Sequence, residues 1–324
     1  MTPVRWGFLG AGFIASRALA PAVHSVDAAE LVGAAARDVD RAARLGPARA
    51  FADYRTVLDD PDVDVVYVAL ANDAHLPWVL AALEAGKHVL CEKPLGLTAS
   101  EVEQMTSAAQ RHSLLLVEAF WYRWHPRTRR AEALVRSGAI GDVTEVDAQF
   151  CFSGVDDDNY RLDPTRGGGA RYDVGGYTVD AAVWAAGSPT VGPVRARARL
   201  GPTGVDLTTE AEFRSAGAQV KVRASIDDAP RQQLCVTGSL GRINFGSDAE
   251  ADAFTSWLAP SGLLVDGPGS RVESFAPCDP YALMVEAVGR AVRGGDAFLV
   301  TPEESLAVAQ ILDVIAAAAT LSGG

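Results

Sequence analysis

The chain has 324 residues, 48% of them hydrophobic and 22% charged, and a formal net charge of −12. The length exceeds one average domain and predicts two, with the composition of an ordinary folded protein. The acidic balance argues against nucleic acid as a partner, because such binding rests on a basic face that displaces counterions.

No run approaches the ~18 apolar residues of a membrane span. The opening "MTPVRWGFLGAGF" meets a glycine turn before it could build an apolar secretory core, so no membrane contact and a cytoplasmic location are expected. Cys91, Cys151, Cys235 and Cys278 are widely spaced without a CxxC pair, and the five histidines lack HExxH spacing. Neither a disulfide framework nor a metal site is expected, and the cysteines read as small buried residues.

From residue 4 to about 118, short apolar runs alternate with helical stretches: "VRWGFL", "ELVGAAA", "VDVVYVAL", "KHVLCE" and "LLLVEAF" read as strands. In "HLPWVLAALEAG", Leu76, Val79, Leu80 and Leu83 share a helix face and Gly86 sits where a C′ glycine belongs. Strands without polar alternation are covered on both faces, which predicts a doubly wound parallel sheet of the α/β class.

The first strand runs into "FLGAGFIA", which supplies Gly10, Gly12 and Ala15 as G-x-G-x-x-A. Gly10 allows the tight turn, Gly12 lets backbone approach a pyrophosphate, and Ala15 permits close helix packing. Alone the motif is a weak signal of a dinucleotide site rather than a structural turn; its place at the first βα turn strengthens it. At the tip of the second strand Ala36 is followed by Arg37 and Asp38. An arginine there pairs with a 2′-phosphate and favours NADP; with Arg37 solvated and Asp38 on a ribose hydroxyl or capping the next helix, NAD is the alternative.

The fourth strand ends at Leu70 and Ala71, with Asn72 and His75 beyond it on the ligand edge, where the one could shape a turn and the other cap a helix. "VLCEKPLG" places Lys93 between Glu92 and Pro94 at another strand end. A lysine there is either a ligand group or part of a surface turn. Thr98 and Glu101 then form a capping box for the next helix.

Beyond about residue 120 the β-like runs follow one another: "DVTEVDAQFCF", "VRARARL", "TEAEFR", "QVKVRASI", "QQLCVTG" and "GRINF". They predict a mostly antiparallel sheet closed by two helices near the end, the last opened by Thr301, Pro302 and Glu304. The segment "WYRWHPRTRR" (121–130) reads either as a phosphate grip or as the solvated face of a surface helix, and "DDDN" (156–159) as a turn. "GGGARYDVGGYTVDAAVW", taken as a helix from Tyr172, sets Asp173, Tyr177, Asp180 and Trp184 on one stripe. Gly175 and Gly176 interrupt it at a cost of about 1 kcal/mol each, which suggests close approach to the backbone or tight helix–sheet packing.

Taken together, G-x-G-x-x-A, "NDAHLPWVLAALEAGKHVLCEKPL", "VEAFWYRWHP" and "GGGARYDVGGYTVD" resemble the glucose–fructose oxidoreductase, inositol dehydrogenase and MocA family. The resemblance covers nearly all of residues 4–187 and looks closest to its dimeric dihydrodiol dehydrogenases, NADP-linked xylose dehydrogenases and sugar ketoreductases. It implies an N-terminal Rossmann domain over 1–120 and an α+β substrate-binding and dimerisation domain over 121–324. The second domain would carry a large, mostly antiparallel open sheet that joins copies into a homodimer or homotetramer. It also implies that Lys93 lies by the nicotinamide and substrate, aided by a cis Lys93–Pro94 bond. Where many members have a histidine as proton donor, this chain has Tyr177, as the branches just named do.

The resemblance thus implies an NADP-dependent oxidoreductase acting on a sugar, cyclic polyol or dihydrodiol, with Lys93, Tyr177 and Asp173 in the reaction. Gly10, Gly12, Phe13, Ile14, Arg37, Asp38, Leu70, Asn72, His75, Glu92 and Lys93 would face the cofactor. Trp121, Arg123, Tyr160 and Asp180 would face the substrate. The alternatives are a ketoreductase for a nucleotide-linked deoxysugar, with Arg123 on its diphosphate, and a nucleotide-sensing regulator without catalysis.

Overall fold

The computed structural model describes residues 2–187, 192–245, 252–267 and 269–323. Six strands build the first sheet: β1 Val4–Leu9, β2 Ala29–Ala35, β3 Arg49–Phe51, β4 Val65–Val68, β5 His88–Cys91 and β6 Leu116–Glu118. Their order is β3-β2-β1-β4-β5-β6 and every pairing is parallel. All four residues of β4 are buried, as a central strand covered by helices on both faces must be. The strand order reverses between β1 and β4, and the crevice beyond their carboxyl ends is where open α/β sheets bind ligands.

The helix His75–Glu84 ends before Gly86, which takes φ +76°. Its buried stripe differs from the expected one. His75, Val79, Ala82 and Leu83 are buried while Leu76 and Leu80 are only partly covered, so the helix is rotated to put a histidine in the core.

The chain forms two compact units that are discontinuous in sequence: Met1–Gly96 with Ser100–Trp124 and Asp279–Pro302, and Leu97–Ala99 with His125–Cys278 and Glu303–Gly324. The helix Pro280–Val292 therefore belongs with the first sheet, not with the second as its place in the sequence suggested. Asp279 caps it by accepting from the Tyr281 amide at 2.9 Å, and the Tyr281 ring stacks on Trp121 with centroids 4.8 Å apart. Arg293 after it donates to the Thr2 and Ala28 carbonyls at 3.2 Å each. The apolar side Tyr281, Met284, Val285 and Val288 is buried by this docking.

The second unit is built on nine strands: β7 Val143–Cys151, β8 Arg195–Leu200, β9 Asp206–Ser215, β10 Ala218–Ser225, β11 Arg231–Gly238, β12 Arg242–Phe245, β13 Ser261–Asp266, β14 Arg271–Phe275 and β15 Ala319–Gly323. They run in the order β14-β13-β12-β11-β7-β10-β9-β8-β15. The sheet is mixed: β7–β10 and β8–β15 pair in parallel and the other neighbours antiparallel. Period-two burial marks a sheet with one packed face and one polar face. Val146, Ala148, Val220, Val222, Leu234 and Val236 are buried. On the other face Arg195, Glu212, Lys221 and Asp147 follow one another across four strands, opposite charges side by side. The helix Pro302–Ala318 begins as expected, and Cys91 and Cys151 are buried, but Cys235 and Cys278 are partly exposed.

The basic segment is a solvated face only in part, at Arg130 and less so at Arg129. Arg123 and Arg127 are each 1% exposed, the former with its guanidinium over the Phe298 ring at 5.5 Å, the latter bonded to Asp252 at 2.6 Å. His125 starts the helix Pro126–Arg136 by accepting the Arg127 amide proton on Nδ1 at 3.0 Å, so the ring must be neutral to cap it. Burial, then the neighbouring Arg127, push its pKa down to about 4, with Asp252 opposing. The stability this provides is complete above the unfolded value near 6.5 and is lost as pH falls from there to about 4, by up to about 3 kcal/mol. Replacement His125→Asn keeps a cap and removes the titration. Urea midpoints measured at pH 7 and pH 4 should differ less in this variant than in the unmutated protein; an equal fall in both would contradict the assignment.

Candidate functional site

The glycine turn lies at the carboxyl end of β1. Gly10 has φ +100°, and a Cβ there would come within 2.2 Å of the Ala69 carbonyl oxygen, so β4 presses on it from behind. A Cβ on Gly12 would meet nothing nearer than that same oxygen at 4.0 Å. Internal packing therefore requires glycine at 10 but not at 12, where the bare backbone borders open space. That is the cradle a pyrophosphate fits, with Ala15 fully buried where the helix closes on the sheet. Phe13 is 75% exposed beside it and Ile14 partly covered.

At the tip of β2, Arg37 and Asp38 are exposed. Asp38 caps the next helix, accepting from the Asp40 amide at 3.0 Å, while the Arg41 guanidinium donates to the Ala11 carbonyl at 2.8 Å. Arg41 was missed in the sequence, although a cation on the short helix that follows the β2 tip was a usable signal. The Arg41 cation thus stands against the glycine turn.

The loop after β5 carries Lys93, half-buried, and the Lys93–Pro94 bond is cis. Three buried polar side chains pin the loop on either side of the lysine. The Tyr67 hydroxyl donates to Glu92 Oε1 at 2.6 Å. The His75 ring stands between two carbonyls, with Nδ1 at 2.8 Å from Pro94 O and Nε2 at 3.2 Å from Leu70 O. Glu118, at the end of β6, accepts the Leu95 amide at 2.9 Å. Burial lowers the His75 pKa and keeps the ring neutral, so it has one proton to donate, to Pro94 O at the shorter of the two distances. Burial, then the Glu92 charge, raise the Tyr67 phenol well above its usual value and keep it a donor.

His75 is fully buried as the first residue of its helix, with Ala74 and not His75 at the cap, and it ties Pro94 to that helix. Asn72 is buried and opens a short 3-10 turn, Asn72–Ala74. Glu118 escaped the sequence reading because it sits inside the apolar run "LLLVEAF". A carboxylate at the carboxyl end of a parallel strand was the signal.

Within the second unit, Asp173 and Tyr177 lie where a π-helical turn, Arg171–Gly175, runs into the helix Gly176–Ala186. Such turns cluster at functional sites. The helix is not the one-sided stripe expected: every residue from Asp173 to Val183 is buried, and Asp180 is wholly so. The Tyr177 ring packs against Phe150 and Phe254 at 5.4 and 6.0 Å. Asp173 Oδ2 accepts from Arg161 Nε at 2.7 Å, and the Arg161 guanidinium lies over the Tyr160 ring. A Cβ on Gly175 would make only ordinary contacts, 3.5 Å at the nearest, so packing does not demand that glycine. Trp121, stacked on Tyr281, and Arg123 are core residues of the first unit.

A doubly wound sheet with an open glycine cradle at its switch point defines a dinucleotide-binding protein. Residues 4–120 match the oxidoreductase family with an NAD-binding Rossmann fold, and residues 128–244 match the GFO/IDH/MocA C-terminal domain; the chain belongs to this family and is an oxidoreductase. It is 36% identical to D-xylose 1-dehydrogenase (NADP(+)) 2 of Haloferax volcanii over 96% of this chain and 95% of that one. It is 31% identical to trans-1,2-dihydrobenzene-1,2-diol dehydrogenase of Xenopus tropicalis over 81% and 79%. A 3-ketoreductase from Actinomadura kijaniata, solved with NADP and TDP-benzene, superposes with a TM-score of 0.89 at 28% identity over the whole of both chains. Further structures of that enzyme carry a lysine-to-alanine or a tyrosine-to-phenylalanine replacement, at positions as far apart in its sequence as Lys93 and Tyr177 are here.

The cradle makes a separable prediction. Gly12→Ala should leave stability within about 0.5 kcal/mol, since its Cβ has room, yet weaken dinucleotide binding about tenfold or more. Thermal unfolding and fluorescence titration of the same preparation check both halves; unchanged affinity would contradict the site.

Proposed function

We propose that the protein is an NADP(H)-dependent oxidoreductase that interconverts a CH–OH group and a carbonyl on a sugar, cyclic polyol or dihydrodiol. The observation that carries this reading is the open backbone at Gly12 on a sheet edge that also holds a rigidly anchored lysine. The family and the relatives named for NADP-linked chemistry support it. Arg37 at the tip of β2 supplies the cation that a 2′-phosphate pairs with, and Arg41 stands by the glycine turn. The oxidised and reduced nicotinamide supply hydride acceptance and donation when bound.

The chain's own residues handle the proton. Tyr177 gives its phenolic proton to the carbonyl oxygen as that oxygen gains charge during reduction, and takes it back during oxidation. A phenol with an ordinary pKa near 10 needs a cation beside its oxygen to release a proton at neutral pH, and Lys93 provides it while polarising the substrate oxygen. Asp173 orients the phenol from the preceding turn. A single coenzyme cycle thus needs one donor, one cation and one positioning carboxylate.

The ketoreductase reading for nucleotide-linked sugars is favoured by the similarity to the Actinomadura enzyme and, over 56% of this chain, to dTDP-sugar 3-reductases. The basic segment offers it little. Arg127 is bonded to Asp252, Arg129 and Arg136 to Glu132, and Arg130 to Glu273, while Arg123 is buried over Phe298.

Assays of sugars, polyols and keto sugars by nicotinamide absorbance, with NADP and NAD in parallel, should show turnover that prefers NADP. Tyr177→Phe and Lys93→Ala should each lower kcat by roughly 10²–10⁴ while NADP binding persists. Near-normal turnover in both would refute the mechanism, and tight NADP binding without turnover on any substrate would favour a regulator.

The polar face of the nine-strand sheet, with its alternating Arg195, Glu212, Lys221 and Asp147, supports a further element of the proposal: a second copy of the chain packs there. Sedimentation velocity should then give at least the dimer mass at micromolar concentration, and reversing the Lys221 charge with Lys221→Glu should shift it toward the monomer. A monomer in the unmutated protein would exclude this assembly.

A further inference from the structure

Arg161 carries no role in the mechanism above, yet it closes a ring of hydrogen bonds within the second unit. Its carbonyl accepts the Gly169 amide at 2.8 Å, the Gly169 carbonyl accepts the Asp173 amide at 3.0 Å, and Asp173 Oδ2 accepts from Arg161 Nε at 2.7 Å. These three bonds close a ring from Arg161 to Asp173 and back. The glycine run serves it. A Cβ on Gly168 would lie 2.5 Å from the Arg161 carbonyl oxygen, and Gly169 holds φ +113°, which side-chain-bearing residues rarely adopt. Asn159 Oδ1 accepts the Arg161 amide at 3.1 Å, and the Tyr160 ring lies 5.1 Å from the guanidinium carbon.

We propose that Arg161 is the positioning residue of the Asp173–Tyr177 pair: it fixes the Asp173 carboxylate on the turn preceding Tyr177 and keeps a cation within reach of the phenol. The inference rests on the reading of Tyr177 as proton donor and adds a second cation, from the tyrosine's own unit, to the one assigned to Lys93. Electrostatics agree. Burial pulls the guanidinium pKa down, but the charges of Asp173, Tyr160 and Tyr177 outweigh it and the net shift is upward. An interaction by which a Tyr177 phenolate holds the arginine protonated must equally favour the phenolate.

The groups around the phenol set the sign. Phe150 of β7 and Phe254 are uncharged, Asp173 is paired with Arg161, and Asp180 lies one turn further along the helix. Removing the guanidinium takes one positive charge from beside the Asp173 carboxylate and leaves the carboxylate's own charge in place on the turn before Tyr177. The Tyr177 pKa would then rise.

The test uses protein labelled at tyrosine Cζ and arginine Nε, without substrate, titrated by NMR. The Tyr177 resonance is assigned from Tyr177→Phe and the Arg161 resonance from Arg161→Lys. In Arg161→Gln the Tyr177 midpoint should rise by about one pH unit or more, and Arg161→Lys should recover at least half of that shift. In the oxidation direction the kcat profile of Arg161→Gln should move to higher pH by the same amount, with NADP affinity unchanged. In the unmutated protein, the Arg161 Nε signal should follow the Tyr177 midpoint, a readout that survives if Arg161→Gln does not fold. A Tyr177 midpoint unmoved in Arg161→Gln, or an Nε signal indifferent to it, would overturn the proposal. Because these readings need no turnover, they stand apart from the Tyr177→Phe assay that tests the catalytic reading itself.

Discussion

A short loop at the end of β5 has to hold a charged lysine at the edge of a sheet whose interior is Val and Leu. Tyr67, His75 and Glu118 meet that constraint from three different elements, each bonding the loop at a different residue around Lys93. All three are buried, so each bond is made in a medium where an unmade one would cost about 1–3 kcal/mol. The loop can therefore adopt few other arrangements. The rotated burial of the helix His75–Glu84 follows from the same demand, because the histidine must face inward to reach Pro94.

The second unit solves a parallel problem with other means. A helix buried on all sides carries Asp173, Tyr177 and Asp180, and such polar groups must be partnered or paired in the interior. Arg161 partners the first of them, and Gly168 lets the backbone come close to the Arg161 carbonyl. Each unit thus uses glycine or buried polar residues to immobilise one side chain to which the proposed mechanism gives a role. Positional precision of this kind, rather than unusual residue types, is what a proton-and-hydride reaction requires.

Much of this was legible in the sequence where the signal was local. β1 coincides with "VRWGFL", Gly10 and Gly12 form the turn they imply, and Pro302 opens the last helix. β3, β14 and β15 gave no sign, being three to five residues long and lacking apolar alternation. What the sequence hid was long-range pairing. Nothing near Arg127 announces Asp252, and the helix Pro280–Val292 docks on elements almost the whole chain away. The same holds for the site: Lys93 and Tyr177 stand in recognisable motifs, whereas Glu118, Arg41 and Arg161 acquire meaning only from the groups they touch. Arg123 and Arg127 misled because charge alone suggested a solvated helix, while aromatic and carboxylate partners permit their burial.

The mechanism proposed for this protein requires that Lys93 and Tyr177 act on one substrate oxygen. A crystal structure of the protein with NADP and a turned-over sugar or polyol tests it most directly. It should place Lys93 Nζ and Tyr177 Oη both within about 3 Å of the same hydroxyl oxygen, on the carbon that faces the nicotinamide. A complex in which either group lies more than about 6 Å from that oxygen, with the substrate still poised for hydride transfer, would contradict it.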